Sequence, residues 1–178
     1  MVSKSFVKTG FLAPLGLLSL FSAVQGHQYT IVNKCPSDID VYNGNTLFTS
    51  NLSTGNNVTQ DIAANSASFY TTANGGSTSG ASTQAGFFDD TGAAYYYFLK
   101  ESGTVNTPIE VQPSYIEKAG SGYCRINYCF DAGCPSYSSA PDEATIPNNT
   151  PWPPPLPLWE CPYSDVSFII TFCPFGTF

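Results

Sequence analysis

Two β-branched segments, one near each end of the chain, each run directly into a cysteine. The first is Tyr29-Thr-Ile-Val-Asn-Lys-Cys35, and the second is Ser167-Phe-Ile-Ile-Thr-Phe-Cys173. Runs of β-branched and aromatic residues favour strands. Two terminal strands that each carry a cysteine at one end indicate a sheet whose chain ends are tied covalently.

The start of the chain predicts a secretory signal peptide over residues 1–26. Lys4 and Lys8 give it a positive charge, and Phe11 to Val24 is apolar. Small residues then lead to a cleavage site after Gly26. A membrane helix is the alternative, but the stretch is too short and too interrupted to span a bilayer of about 30 Å. We therefore expect a secreted protein, extracellular or in the cell wall, that is not inserted in a membrane.

All six cysteines follow this segment, at positions Cys35, Cys124, Cys129, Cys134, Cys161 and Cys173. An even number in a secreted chain predicts three disulfides, although spacing alone leaves their connectivity open. Zinc sites need four clustered Cys or His ligands, whereas this chain has no CxxC pair and a single histidine, His27. We expect no metal and no cofactor.

The net charge excludes one class of partner, and three Asn-x-Ser/Thr triplets (N-glycosylation sequons) predict a modification. The formal net charge is −7, and cleavage after residue 26 removes two lysines and no acidic residue. Such a chain is repelled by phosphate backbones, which excludes nucleic acid. Asn51, Asn57 and Asn148 each open an Asn-x-Ser/Thr triplet, so we expect N-glycosylation in surface loops.

Short apolar runs separated by turn residues predict an all-β fold. Their spacing of roughly ten residues is typical of a β-sandwich or barrel, and two packed sheets bury one face of every strand. The predicted strands are Gln28–Asn33, Asp38–Tyr42, Thr46–Ser50, Asn57–Ile62, Ala67–Thr72, Gly86–Asp89, Ala93–Lys100, Pro108–Gln112 and Ser167–Phe172. We expect one domain over residues 27–178.

Three segments interrupt these strands. Ala73 to Gln84 is rich in Gly, Ser and Thr and predicts a flexible surface loop. Gly120 to Ser139 holds three cysteines and predicts a disulfide-pinned excursion. The run Trp152-Pro-Pro-Pro-Leu-Pro-Leu-Trp159 predicts an extended polyproline II connector, because Pro cannot donate to a ladder.

Several motifs in order resemble the thaumatin-like proteins. YTIVNKCP resembles the opening strand of that family, and FFDDTG at Phe87 to Gly92 resembles its Phe-Asp-Asp/Gly-Ser-Gly turn. Cys124-x4-Cys129 followed by AGCP resembles its Gly-Cys-x4-Cys segment, and ECPYSDVSFIITFCP resembles its closing strand. The resemblance implies a thaumatin-like sandwich.

The resemblance also implies a disulfide pattern. The first and last cysteines of the family pair, which gives Cys35–Cys173 here. The cysteine of the Gly-Cys motif pairs with the one that opens the last strand segment, which gives Cys124–Cys161. Cys129–Cys134 then remains as a short loop. Cys134 and Cys161 are too close in sequence to enclose the disulfide-rich second domain of larger members, so the chain resembles a reduced, sandwich-only form, which we expect to be fungal.

The family's glucan-binding cleft is acidic, and only part of it has matches here. Asp89 and Asp90 match the turn aspartates, and Glu110 lies near an expected acidic strand position. Glycoside hydrolysis needs two carboxylates about 5–9.5 Å apart across the bond. Adjacent strand residues point to opposite faces, so Asp89 and Asp90 cannot form that pair. We therefore favour the interpretation of Asp89 and Asp90 as turn-forming residues.

Aromatic residues are the other binding candidates. Tyr95 and Tyr97 lie in a Tyr-Tyr-Tyr-Phe run that places rings on both faces of a strand, and exposed rings suit stacking on sugars. Trp152 and Trp159 flank the Pro run. The alternative is that all of these rings are core. His27 would be the mature N-terminus, but a copper site of the oxidative type needs a second histidine, so we interpret His27 as incidental.

These observations favour a monomeric, non-catalytic, secreted protein that binds a cell-wall polysaccharide such as β-glucan in a defence or pathogenesis-related role. One alternative is a weak endo-β-1,3-glucanase that uses Asp89 or Asp90 with Glu110. Another is an effector that acts on an extracellular protein.

Overall fold

The structure is a computed structural model that describes residues 26–63, 66–79, 82–90, 92–101, 103–117, 122–142 and 152–178. The predicted signal peptide, except Gly26, and the Asn148 sequon lie outside these residues. No helix in the described part is long and apolar enough to span a membrane.

The described residues form eleven strands. In chain order they are β1 His27–Asn33, β2 Ile39–Asn43, β3 Thr46–Leu52, β4 Asn57–Ile62, β5 Ser66–Thr71, β6 Thr83–Asp90, β7 Ala93–Lys100, β8 Ile109–Pro113, β9 Asn127–Cys129, β10 Leu158–Cys161 and β11 Phe168–Phe172.

The strands form two sheets that pack face to face, which confirms the predicted two-sheet sandwich. The five-stranded sheet has the order β4-β1-β11-β8-β9, and the six-stranded sheet has the order β10-β7-β6-β5-β2-β3. In the first sheet β1 and β11 are parallel neighbours, with Ile31 opposite Ile170. Alternate residues of both sheets turn inward, and Ile31, Phe87 and Ile170 belong to the one large core between them.

Three disulfides fix this sandwich, and they are the pairs that the resemblance implied. Cys35–Cys173 joins the residues that follow β1 and β11. Cys124–Cys161 ties the end of β10 to the segment before β9. Cys129–Cys134 closes a loop with a sequence separation of 5 directly after β9.

Two strands were not predicted. β9 has three residues and pairs with β8 at the edge of the five-stranded sheet. β10 occupies the end of the Pro-rich run, where Trp159 pairs with Tyr96 of β7. The predicted extended connector is therefore wrong at its end, because Leu158 and Trp159, which follow the last proline of the run, join a ladder as the first residues of β10.

The predicted loop at Ala73 to Gln84 is also too long. Thr83 and Gln84 open β6, where they pair with Lys100 and Leu99 of β7. The strands of the long β6–β7 hairpin therefore stay paired up to Thr83 and Lys100 at its open end. Backbone partners on the neighbouring strand override the local Ser/Thr-rich composition.

A second apolar cluster lies on the outer face of the six-stranded sheet. Its buried members are Phe88, Tyr95, Tyr97, Leu99 and Leu158. Tyr137 packs edge-on against Tyr97, with ring centroids 5.6 Å apart, and exchanges backbone hydrogen bonds with Phe98 and Lys100. The segment around Tyr137 therefore covers the outer face of the six-stranded sheet, which would otherwise be open to solvent.

Candidate functional site

Asp89 lies at the end of β6 and contacts His27 at the start of β1. The Nε2 of His27 is 2.8 Å from the Oδ1 of Asp89, and its Nδ1 is 2.6 Å from the carbonyl oxygen of Val166. A carbonyl and a carboxylate only accept hydrogen bonds, so both ring nitrogens donate and the imidazolium form fits this environment. The hydrogen bond to Asp89 raises the pKa of His27 above its ordinary value, against the opposing effect of burial.

His27 is therefore a buried structural residue and not an incidental one. Its side chain is only 4% exposed, and it links β1 to β6 and to the segment before β11. The sequence offers one signal for this role, since a single histidine directly precedes one predicted strand and an aspartate ends another. Nothing in sequence spacing shows that the two ends meet.

Asp90 and Glu110 lie on other faces of the sandwich. Asp89 follows the inward-facing Phe87 by two residues, so Asp90 shares the outward side of β6 with Phe88. Its charge contributes to raising the pKa of Tyr95, which is raised mainly by burial. Glu110 alternates with the core residues Ile109 and Val111 and so faces outward from the five-stranded sheet.

The register places Glu110 far from Asp89. Glu110 is opposite Thr171, which is opposite Val32, five residues along β1 from His27. At about 3.3 Å per residue this is about 16 Å along the strand. The structure therefore does not bring the predicted carboxylates together as a hydrolytic pair, because they occupy three different faces.

The predicted stacking residues Tyr95 and Tyr97 are buried. They are 7% and 4% exposed, and the ring of Tyr97 lies so close to Gly86 that a Cβ there would be 2.2 Å from it. Stacking on a sugar needs an exposed ring face, which neither residue has. Trp159 is likewise buried and stacks on Tyr96, whereas Trp152 is exposed and meets Tyr123 edge-on.

A pair of glutamates that was not predicted from the sequence, Glu117 and Glu160, lies beside Tyr95. Burial raises the pKa of Glu160, and the charge of Glu117 raises that pKa further, whereas the hydrogen bond that the Tyr95 hydroxyl donates to Glu160 opposes the rise. The Oε2 of Glu117 is buried and has no hydrogen-bond partner among the described residues. The Cys124–Cys161 disulfide brings this pair together, because Glu160 precedes Cys161 and the Glu117 amide bonds the Cys124 carbonyl.

Exposed rings occur elsewhere, at Trp152, in the Tyr115–Tyr163 pair and in an aromatic patch formed by Tyr128, Phe130 and Phe175. Phe130 is 51% and Phe175 is 64% exposed. Phe175 stacks on Tyr128 at 6.1 Å and meets Phe130 edge-on at 5.8 Å. The Tyr128 hydroxyl donates to Glu110, so the patch adjoins a carboxylate. Two disulfides anchor it, since Cys129 lies between Tyr128 and Phe130 and Cys173 is two residues before Phe175.

This patch was not predicted from the sequence either. Tyr128 and Phe130 alternate with Cys129, which is a strand pattern with one buried residue between two outward ones. The interpretation of residues 120–139 as an excursion hid that pattern. No group of three or more His, Cys, Asp or Glu residues in the described ranges is arranged to hold a metal ion.

Solved structures show what this fold resembles. The protein elicitor MoHrip2 from Magnaporthe oryzae is 16% identical, with a TM-score of 0.52, and the match covers 83% of this chain and 98% of that chain. The thaumatin-like xylanase inhibitor TLXI is 15% identical, with a TM-score of 0.55, and the match covers 82% of this chain and 99% of that one. No family model and no curated protein matches the sequence. The chain has a thaumatin-like fold.

Proposed function

We propose that this protein is secreted and binds a cell-wall polysaccharide such as β-glucan without hydrolysing it, in a defence-related role. The observation that supports this most is the aromatic patch of Tyr128, Phe130 and Phe175. Sugar rings present flat apolar faces that stack on exposed aromatic rings. Glu110, beside Tyr128, offers an acceptor for a sugar hydroxyl.

The anchoring of the patch favours binding. Rings held by two disulfides lose little conformational freedom when a ligand docks, and such preorganisation increases affinity. The absence of a paired arrangement of Asp89, Asp90 and Glu110 favours binding over hydrolysis. We therefore assign the polysaccharide contact to the aromatic patch and not to Tyr95 and Tyr97.

Co-sedimentation with insoluble β-1,3-glucan tests this function. The double variant Phe130→Ser/Phe175→Ser should bind about tenfold more weakly, because each exposed ring contributes roughly 0.5–1.5 kcal/mol of stacking. Leu47→Ser is the matched control, since Leu47 is also an exposed apolar residue but lies on β3 of the other sheet. Failure of the unmodified protein to bind any wall polysaccharide would contradict the proposal.

A protein partner is the second candidate. The fold is similar to that of a xylanase inhibitor, and an exposed aromatic cluster is also what protein interfaces use. If the unmodified chain binds no polysaccharide but inhibits a xylanase, and the aromatic double variant does not inhibit it, the partner is a protein.

Reducing-sugar release from the same glucan distinguishes the enzymatic alternative. Release that disappears in Glu160→Gln would indicate hydrolysis by the glutamate pair, since a carboxyl group with a raised pKa beside a second carboxylate suits a general acid. We expect binding without release.

A further inference from the structure

A polar cleft lies on the outer face of the six-stranded sheet, remote from the aromatic patch. The pairing register of β5 and β6 places the side chains of its floor side by side. The β5–β6 pair Phe69 and Ala85 places Tyr70 next to Gln84 on the floor, and Tyr42 of β2, which pairs with Tyr70, lies beside the floor without lining the cleft. These side chains alternate with core residues and so face away from the sandwich interior.

The cleft has a volume of about 280 Å³. Its rim comes from the β2–β3 turn, from the segment after β5 and from the residue after β7. The polar side chains that line it are Asn45, Tyr70, Thr78, Ser79, Gln84 and Glu101. Three separate parts of the chain thus bring hydroxyl, amide and carboxylate groups to one small volume.

The hydroxyl group of Tyr70, which lines this cleft, lacks a hydrogen-bond partner among the described residues. The side chain is 4% exposed, and its ring stacks on Tyr42 with centroids 5.4 Å apart. Its hydroxyl is buried and has no hydrogen-bond partner among the described residues. A buried hydroxyl without a partner is unfavourable, whereas neighbouring groups are satisfied, as in the 2.6 Å bond from the Ser68 hydroxyl to Gln84.

We propose that this cleft binds a neutral saccharide of one or two sugar units. Sugar hydroxyls both donate and accept, which matches the hydroxyls and amides of the lining and would give the Tyr70 hydroxyl its missing partner. Among the described residues of the lining, Glu101 is the single charged side chain. It disfavours phosphates and other anions, and one carboxylate is too few ligands for a divalent cation.

The size of the cleft agrees with this ligand. Its volume is just below the ~300–1,000 Å³ of typical small-molecule sites, so it admits a short sugar but not a polymer chain in its full width. Glu101 is exposed at the rim, so its side chain can move when a ligand reaches the floor. This site is independent of the aromatic patch, and either can exist without the other.

Titration of the isotope-labelled protein with cellobiose, laminaribiose and xylobiose tests the proposal. We expect saturable shifts of the backbone amides of Asn45, Ser79, Gln84 and Glu101 with at least one sugar. Tyr70→Phe should weaken that binding about tenfold, because it removes only the hydroxyl. Tyr42→Phe is the matched control, since Tyr42 stacks on Tyr70 but does not line the cleft, and its affinity should be unchanged.

The thermal stability of the same variants provides a readout that needs no ligand. Tyr70→Phe should raise Tm of the free protein, because it removes a buried unpaired hydroxyl, whereas Tyr42→Phe should not. A lower Tm for Tyr70→Phe would mean that the hydroxyl has a partner within the protein and would overturn the premise. Absence of saturable shifts at the cleft amides with every sugar, or shifts confined to the aromatic patch, would overturn the site.

Discussion

At the scale of single residues, the His27–Asp89 pair makes stability depend on pH. The pKa of His27 is raised in the folded protein, chiefly by its hydrogen bond to Asp89. The folded state therefore binds the proton more tightly than the unfolded state, whose histidine has a pKa of about 6.5. The resulting stabilisation is complete below that value and is lost as the pH rises through the folded-state pKa.

We accordingly expect the free energy of unfolding, measured in urea, to fall as the pH rises above about 6.5. Asp89→Asn should reduce this decline, because it removes the main cause of the raised pKa. His27 is the only histidine, so its ring protons give a clean titration by NMR. A midpoint at or below the ordinary histidine value would show that the pair does not form.

At the scale of elements, the loop after β9 positions the aromatic patch. Cys129–Cys134 encloses few residues, so chain-entropy models credit it with only about 2 kcal/mol. We expect Cys129→Ser/Cys134→Ser to remain folded but to bind glucan several-fold more weakly, because Tyr128 and Phe130 lose their fixed geometry. Urea unfolding and co-sedimentation measure the two effects separately. Unchanged glucan affinity would show that the loop does not organise the patch.

The edges of the two sheets carry two of the sequons. Asn51 lies on β3 and Asn57 on β4, which are the outermost strands of the six- and five-stranded sheets, and both are exposed. Bulky glycans at such positions would block edge-to-edge pairing. We expect Asn51→Gln/Asn57→Gln, made in a glycosylating host, to associate more readily in light scattering, whereas Asn148→Gln should not. Equal association of both variants would contradict this role.

A strand was predicted correctly from the sequence where turn residues mark both of its ends. β4 and β7 have the predicted bounds, because turn residues mark both ends and β-branched or aromatic residues fill each strand. β9 and β10 were missed because one lies among cysteines and the other follows prolines, and both form only through partners on β8 and β7.

The candidate site was less predictable than the fold for a related reason. Burial of Tyr95 and Tyr97 depends on Tyr137, which is forty residues or more away in sequence and covers the outer sheet face. The pairing of His27 with Asp89 depends on contacts across the two sheets. Alternation within a strand predicts which residues share a face but not what lies opposite that face.

At the scale of the whole molecule, Cys35–Cys173 spans a sequence separation of 138. Chain-entropy models credit a loop of that length with about 5 kcal/mol, a large part of the ~5–15 kcal/mol that stabilises a typical domain. We expect Cys35→Ser/Cys173→Ser to lower the urea midpoint far more than Cys129→Ser/Cys134→Ser does. The opposite ranking would mean that the short loop, and not the tied ends, dominates stability.

The position of β11 also has a consequence for biosynthesis. This strand lies between β1 and β8 in the middle of its sheet, although it comes last among the described strands. A nascent chain that has not yet extruded Phe168–Phe172 leaves β1 without its neighbour on that side. The five-stranded sheet therefore forms only after translation has passed residue 172. If the chain is secreted as proposed, Asn57 on β4 meets the glycosylation machinery before that sheet is complete.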